Sequence, residues 1–199
     1  MMQRISAIAF FLLLAGSLTP AGAQQSTGCT LPEPTLTIHR ANIFTAQQEQ
    51  WLGEAQAERF EPHYLLLPES KSRYLTELGE KLLAQLPPTP VHYSFRIFES
   101  PEVRSFSLAG GHVYVSRKLI LDAHNEDELA GALAQEIGRV DTHHAATVYT
   151  RAFDKLMGVK SIGDQADLND KFQRMLNIPK DVLVTKWNPR LSIDEERSD

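Results

Sequence analysis

The stretch Leu129-Ala-Gly-Ala-Leu-Ala-Gln-Glu-Ile-Gly-Arg-Val140 combines a helical apolar pattern with one carboxylate on the apolar side. Glu136 lies three residues after one apolar position and four before another, so a helix places it on the buried stripe. Burying an unpaired carboxylate costs several kcal/mol unless a cation, a metal or hydrogen-bond donors compensate it. The residues around Glu136 are therefore informative about function. The apolar stripe itself consists of Leu129, Leu133, Ile137 and Val140.

The helix that carries this stripe has a clear beginning. Asn125 is a good N-cap residue, and Glu128 stands three residues later, as in a capping box. The amphipathic pattern continues after Val140, and it predicts one helix that runs to about Met157.

Further helices and two strands are predicted on either side. One helix begins after the N-cap Thr45, and a second follows Pro68 and ends before Pro87. A later amphipathic stretch contains Leu168 and Phe172. Alternating patterns predict strands over Tyr93–Phe98 and Gly111–Ser116, with Val113 and Val115 facing inward. The sequence thus predicts a mostly helical α+β domain with a small sheet.

Composition excludes several classes of function. The chain has 199 residues and a net charge of −5, so a basic surface for nucleic acid is not expected. Its single cysteine, Cys29, excludes an intrachain disulfide and any metal site built from several thiolates.

The first 23 residues have the parts of a secretory signal peptide. Arg4 precedes an apolar run over residues 5–14, and Ala21-Gly-Ala23 forms a small-x-small cleavage site. An uncleaved membrane anchor is the alternative, but the apolar run is shorter than the roughly 20 residues that a spanning helix needs. We therefore predict a signal peptide over residues 1–23, an extended entry segment over 24–43 and a folded domain over 44–199. This organisation predicts a periplasmic or secreted protein without a transmembrane span after cleavage.

The segments Phe106–Arg117 and Gln135-Glu-Ile-Gly-Arg139, with the helix start between them, resemble the gluzincin zinc metallopeptidases. The resemblance is to the CAAX prenyl endopeptidase type and its secreted bacterial relatives, and it runs from about Phe44 to Asp199. In that family a helix carries His-Glu-x-x-His, in which two histidines bind zinc and the glutamate activates the zinc-bound water. The resemblance implies a gluzincin-like domain, here C-terminally truncated, and a general-base position at Glu136.

The resemblance also shows where this chain departs from the family. Gln135 and Arg139 stand at the two histidine positions, and arginine has no free lone pair with which to bind a metal. Glu195 matches the third family ligand, with Asp199 as its supporting residue in Glu-x-x-x-Asp. His143 and His144 are candidates for replacement ligands. At 1.5 Å per residue, however, His143 lies about 10.5 Å along the helix axis from Glu136, which is too far for the two to share one metal ion easily. We expect Arg139 to supply the charge that zinc would have supplied, so that Arg139→Ala destabilises the protein by a few kcal/mol.

The resemblance further implies a strand at the edge of the sheet that binds extended substrate by β-augmentation. The family context assigns this role to Gly111, His112, Val113 and Tyr114. The leading hypothesis is a member of a zinc metalloendopeptidase family that has lost hydrolysis and retains binding of extended polypeptide. Two alternatives stay open: an active zinc endopeptidase with an unusual ligand set, and a truncated remnant without function.

Overall fold

The computed structural model describes residues 41–186, with side chains as far as Leu183. The predicted signal peptide, most of the entry segment, Cys29, Glu195 and Asp199 lie outside this range. The described helices are α1 Ala46–Phe60, α2 Glu69–Leu83, α3 Arg117–Asp122, α4 Glu126–Asp141, α5 His144–Met157, α6 Gln165–Leu176 and α7 Lys180–Lys186. The described strands are β1 Ser94–Phe98, β2 Ser105–Ser107 and β3 His112–Ser116.

The three strands form one sheet in the order β1-β3-β2. β1 is parallel to β3, and β2 is antiparallel to β3 on its other side. The prediction that Gly111–Tyr114 forms the substrate-binding edge was therefore wrong, because β3 is the central strand and both of its edges are paired. Gly111 belongs to a short 3-10 turn, Ala109–Gly111, in front of β3. The outer strands are β1 and β2. The outer side of β1 is partly paired with the segment before it, since the Leu67 amide donates to the Ile97 carbonyl at 2.8 Å and the Glu99 amide donates to the Leu65 carbonyl at 2.9 Å. β2 has three residues, too few for a period-two pattern to stand out in the sequence.

One face of the sheet packs against α2 and α4. Val113 and Val115 are fully buried on this face, which confirms their predicted inward orientation. Gly79 of α2 lies directly over Phe95, where an added Cβ would come within 2.3 Å of the ring. This core cluster consists of Leu75, Leu78, Phe95, Ile97, Val113, Val115, Leu129, Leu133 and Ile137.

A second core cluster forms between α1, α5 and α6. Its centre is Leu52 of α1 with Phe153 of α5 and Leu168 of α6, all fully buried. Ala109, in the turn before β3, also belongs to it. That turn approaches α1 so closely that a Cβ on Gly53 would lie 2.0 Å from the Ala109 carbonyl oxygen. The sheet and the second cluster are thus joined through this turn.

The opposite face of the sheet carries aromatic side chains. Phe106 of β2 stacks on Tyr114 of β3 with ring centroids 5.1 Å apart. The Arg104 guanidinium lies 5.3 Å from the Phe106 centroid, a cation–π contact that covers the end of β2. Because side chains alternate across a strand, Phe106 on this face requires Ser105 and Ser107 to point to the α4 face.

The predicted long helix is two helices. α4 ends at Asp141, and α5 begins at His144 after His143, which adopts a left-handed conformation with φ +54°. The Gly138 carbonyl, one of the terminal acceptors of α4, accepts hydrogen bonds from both the Thr142 amide at 3.0 Å and the Thr142 hydroxyl at 2.8 Å. The apolar pattern alone could not reveal this break, because the pattern continues on both sides of it. None of the described helices is both long and apolar enough to cross a membrane.

Candidate functional site

Glu136 is buried against the edge strand. Its side chain is 1% exposed, and its two carboxylate oxygens accept separate hydrogen bonds. The Ser105 hydroxyl donates to Oε1 at 2.9 Å, and the Ser107 hydroxyl donates to Oε2 at 3.0 Å. Hydrogen bonds to an ionised acceptor are stronger than neutral ones. The carboxylate that the sequence placed on an apolar stripe is therefore compensated mainly by two hydroxyl groups.

Local structure brings these three residues together. The Asn125 side chain accepts a hydrogen bond from the Glu128 amide, as its predicted capping role requires, and sets the start of α4. From there the helical period turns Glu136 toward the sheet. β2 places two serines on the same face because they are two residues apart.

Gln135 and Arg139 lie at the exposed side of this helix. The Arg139 Nη1 atom is 3.7 Å from Glu136 Oε2, and the arginine side chain remains 45% exposed. The predicted ion pair between positions i and i+3 is thus present, although its distance is longer than that of a hydrogen bond. Glu195, which matches the third family ligand in the sequence, lies outside the described residues.

The outer edge of β2, which pairs with no strand among residues 41–186, borders this site. The Ser116 amide donates to the Arg104 carbonyl at 2.9 Å, and the Leu108 amide donates to the His112 carbonyl at 2.8 Å. In an antiparallel ladder this pattern directs the backbone groups of Ser105 and Ser107 away from β3. Their amide and carbonyl groups therefore form an outward-facing edge beside Glu136.

His143 belongs to a different cluster. Its Nδ1 atom lies 2.9 Å from the Glu49 carboxylate of α1, which also accepts a 2.7 Å hydrogen bond from the Asn42 amide. The pair lines a groove of about 580 Å³ with His92, Gly110 and Asp141 among its other residues. His143 is therefore a partner of Glu49.

The residues predicted to bind substrate from β3 have structural partners instead. His112 Nδ1 lies 3.3 Å from the Ser94 hydroxyl of β1, and burial lowers the pKa of His112. The Tyr114 hydroxyl donates to Glu61 at 2.9 Å. Burial raises the pKa of Tyr114 well above its usual range, and this hydrogen bond is the second largest cause. Both side chains belong to the face of the sheet opposite Glu136.

The residues at the family's metal positions do not fit zinc. Arginine cannot donate a lone pair, and glutamine is a poor zinc ligand. Both oxygens of Glu136 already accept serine hydroxyls. Within residues 41–183, no group of three or more His, Cys, Asp or Glu side chains is arranged to hold a metal ion.

Two contributors to this region were not predicted from the sequence. The alternation Ser105-Phe-Ser107 is a polar-apolar-polar pattern, and opposite a buried glutamate it would have indicated paired donors. Glu49 lies three residues before Leu52, on the buried side of α1, which is the same signal that singled out Glu136. Both signals are short, and each depends on a partner distant in sequence.

Comparison with known proteins agrees with the fold and the motif. The pattern of Peptidase family M48, the zinc-dependent gluzincin type, matches residues 69–183. The chain is 26% identical over 136 residues to the putative beta-barrel assembly-enhancing protease of Vibrio cholerae, and 27% identical over 140 residues to the beta-barrel assembly-enhancing protease of Yersinia pestis. Each match covers 68% of this chain and 28% of the relative. This chain belongs to peptidase family M48.

Proposed function

We propose that this M48 protein has lost zinc-dependent peptide hydrolysis and binds extended polypeptide along β2. The observation that carries the proposal is the arrangement around Glu136. Arg139, a permanently charged side chain, stands where the family has its second metal ligand. Two serine hydroxyls donate hydrogen bonds to Glu136, at the position of the family's general base. The residues around Glu136 thus favour a site without metal. The outer edge of β2 favours the binding of a polypeptide through its main chain.

The relatives suggest the class of polypeptide. Both are named for enhancing the assembly of β-barrels. Unfolded barrel proteins consist of segments with alternating polar and apolar residues, which suit pairing with a sheet edge. We propose such a segment as the ligand, and we place the protein in the periplasm on the strength of the predicted signal peptide over residues 1–23. The domain would then comprise residues 44–199.

Zinc stoichiometry is the first test. The purified protein is dialysed exhaustively against a weak chelator, and its metal content is measured by elemental analysis. We expect no zinc in a protein that unfolds cooperatively. About one zinc per chain would support the alternative of an active enzyme with an unusual ligand set. A metal-free chain without cooperative unfolding would support the alternative of a remnant without function.

Restoration of the ligand pair tests the same proposal from the other side. In the variant Gln135→His with Arg139→His, both family histidines return, and zinc uptake is expected if Glu195 lies as the resemblance implies. A folded double variant that takes up no zinc would show that Glu195 is not positioned as a ligand. The single variant Arg139→His is the matched control, since it removes the guanidinium but supplies only one imidazole.

Polypeptide binding is tested with a labelled peptide of alternating polar and apolar residues. We expect a rise in fluorescence anisotropy with the parent peptide. A version N-methylated at alternate backbone amides is the matched control, because it keeps every side chain and removes the donors that a ladder needs. Equal binding of both peptides would exclude pairing with the edge of β2.

A further inference from the structure

The edge strand β2 has little support from its own ladder. It is three residues long, and strands in globular proteins usually have about five or six. Its register with β3 comprises Ser105, Phe106 and Ser107, and one backbone hydrogen bond on either side, at Arg104 and at Leu108, completes the ladder. A strand this short needs further contacts to stay in place, particularly when its outer edge is free.

Glu136 supplies such contacts through both of its oxygens. Each oxygen accepts a hydrogen bond from one serine hydroxyl of β2. The carboxylate therefore contacts both the first residue of the strand, Ser105, and the last, Ser107. The side chain is 1% exposed, and water therefore competes little for these bonds. Loss of either hydroxyl would leave part of a buried carboxylate unsatisfied, which costs more than the bond itself contributes.

We propose that Glu136 acts in this chain as a metal-free positioning residue that fastens β2 to α4 through Ser105 and Ser107. The general-base position of the family thereby becomes a structural anchor for the strand edge. Only the consequence for polypeptide binding rests on the function proposed above. The anchoring itself does not depend on whether any ligand binds.

Amide hydrogen exchange measures the anchoring directly. The reporting amides are Leu108 and Ser116, which donate across the ladder to His112 and Arg104. We expect the exchange of these two amides to accelerate about tenfold or more in each of the variants Ser105→Ala, Ser107→Ala and Glu136→Gln. A tenfold acceleration corresponds to a decrease of about 1.4 kcal/mol in the free energy of local opening. The Gly158 amide, bonded to Asp154 at the end of α5, serves as the reference that should not change.

Matched controls separate the anchor from general destabilisation. Ser161→Ala and Glu58→Gln make the same chemical changes at exposed positions and should leave both reporting amides unchanged. Ser105→Thr keeps a hydroxyl donor and suits a strand, so it should bring exchange back to within about twofold of the parent. Glu136→Gln has nearly the shape of glutamate and provides a folded variant if a serine substitution unfolds the chain.

The proposal is overturned if the reporting amides and Gly158 accelerate equally in all three variants, or if Leu108 and Ser116 exchange at the parent rate. Hydrogen exchange is measured in the presence of chelator, so its outcome does not depend on whether the protein binds zinc. Conversely, failure of the peptide-binding test would refute the proposed function and leave the exchange result intact. In a protein that does bind the peptide, Glu136→Gln should weaken that binding as β2 loosens.

Discussion

Within the part of the chain that the structure describes, three side chains compensate the buried Glu136 carboxylate, and they differ in burial and in distance. The serine hydroxyls lie 2.9 and 3.0 Å from its oxygens, whereas the Arg139 guanidinium lies 3.7 Å away on a side chain that is 45% exposed. A half-exposed ion pair is screened by water and typically contributes about 1 kcal/mol or less. The serines therefore carry more of the compensation than the arginine.

This ranking changes the effect expected at Arg139. Arg139→Ala should lower the free energy of unfolding by about 0.5–1 kcal/mol, instead of the larger loss expected for a fully buried pair. Urea unfolding measures the difference. The control is Arg174→Ala, which removes an exposed i,i+4 pair with Asp170 at 3.6 Å and should cost less. A loss of several kcal/mol at Arg139 would show that the cation, and not the hydroxyls, balances the carboxylate.

Tyr93 makes the free energy of unfolding depend on pH in the alkaline range. Burial, with a smaller effect from Asp141, raises the pKa of Tyr93 to about 12, whereas an unfolded tyrosine titrates near pH 10. Its stabilising contribution is therefore complete below about pH 10 and is lost as the pH rises toward 12. Tyr93→Phe should reduce this loss by about 1 kcal/mol, after allowance for partial exposure. Urea unfolding of both proteins across this pH range tests it, and parallel curves would contradict it.

At the scale of elements, the approach of α1 to the turn before β3 sets the position of the sheet. Gly53→Ala places a Cβ 2.0 Å from the Ala109 carbonyl oxygen, so backbone must move. We expect a loss of about 2–3 kcal/mol or more, as for an overpacked core. Thermal unfolding measures it.

Gly131→Ala is the matched control for this substitution. It lies in α4 with nothing within 4 Å of an added Cβ, and it should stabilise the protein by about 0.5–1 kcal/mol through helix propensity. Equal effects at Gly53 and Gly131 would mean that α1 does not approach the turn as closely as the structure has it.

The break between α4 and α5 is also set between elements. His143 adopts a left-handed conformation, which is uncommon for a residue with a Cβ. Its ring contacts Glu49 of α1, a residue 94 positions earlier in the chain. This long-range pair accompanies the turn that redirects α5 toward α1 and α6.

At the scale of the whole molecule, the two core clusters should unfold together. The turn Ala109–Gly111 leads directly into β3 and packs on α1, so the sheet cannot separate without exposing the second cluster. We expect coincident urea transitions for far-ultraviolet circular dichroism and for Trp51 fluorescence. The Trp187→Phe background leaves Trp51 as the single indole. Separate midpoints would show that the clusters fold independently.

The sequence by itself determined the features that depend on neighbours along the chain. The caps at Thr45 and Asn125, the inward valines of β3 and the buried position of Glu136 all follow from spacings of two to four residues. The motif around Glu136 and the α+β composition were sufficient to indicate the family, and the match over residues 69–183 confirms it.

Only the tertiary structure decided that β3 is the central strand and β2 an outer one, where the long helix breaks and what compensates Glu136. Ser105 and Ser107 are 31 and 29 residues from Glu136 along the chain, and Glu49 is still farther from His143. Local periodicity shows which side chains are buried, but it carries no information about which distant group meets them. That choice depends on packing between elements, because a buried charge takes the donors that the folded chain brings within reach.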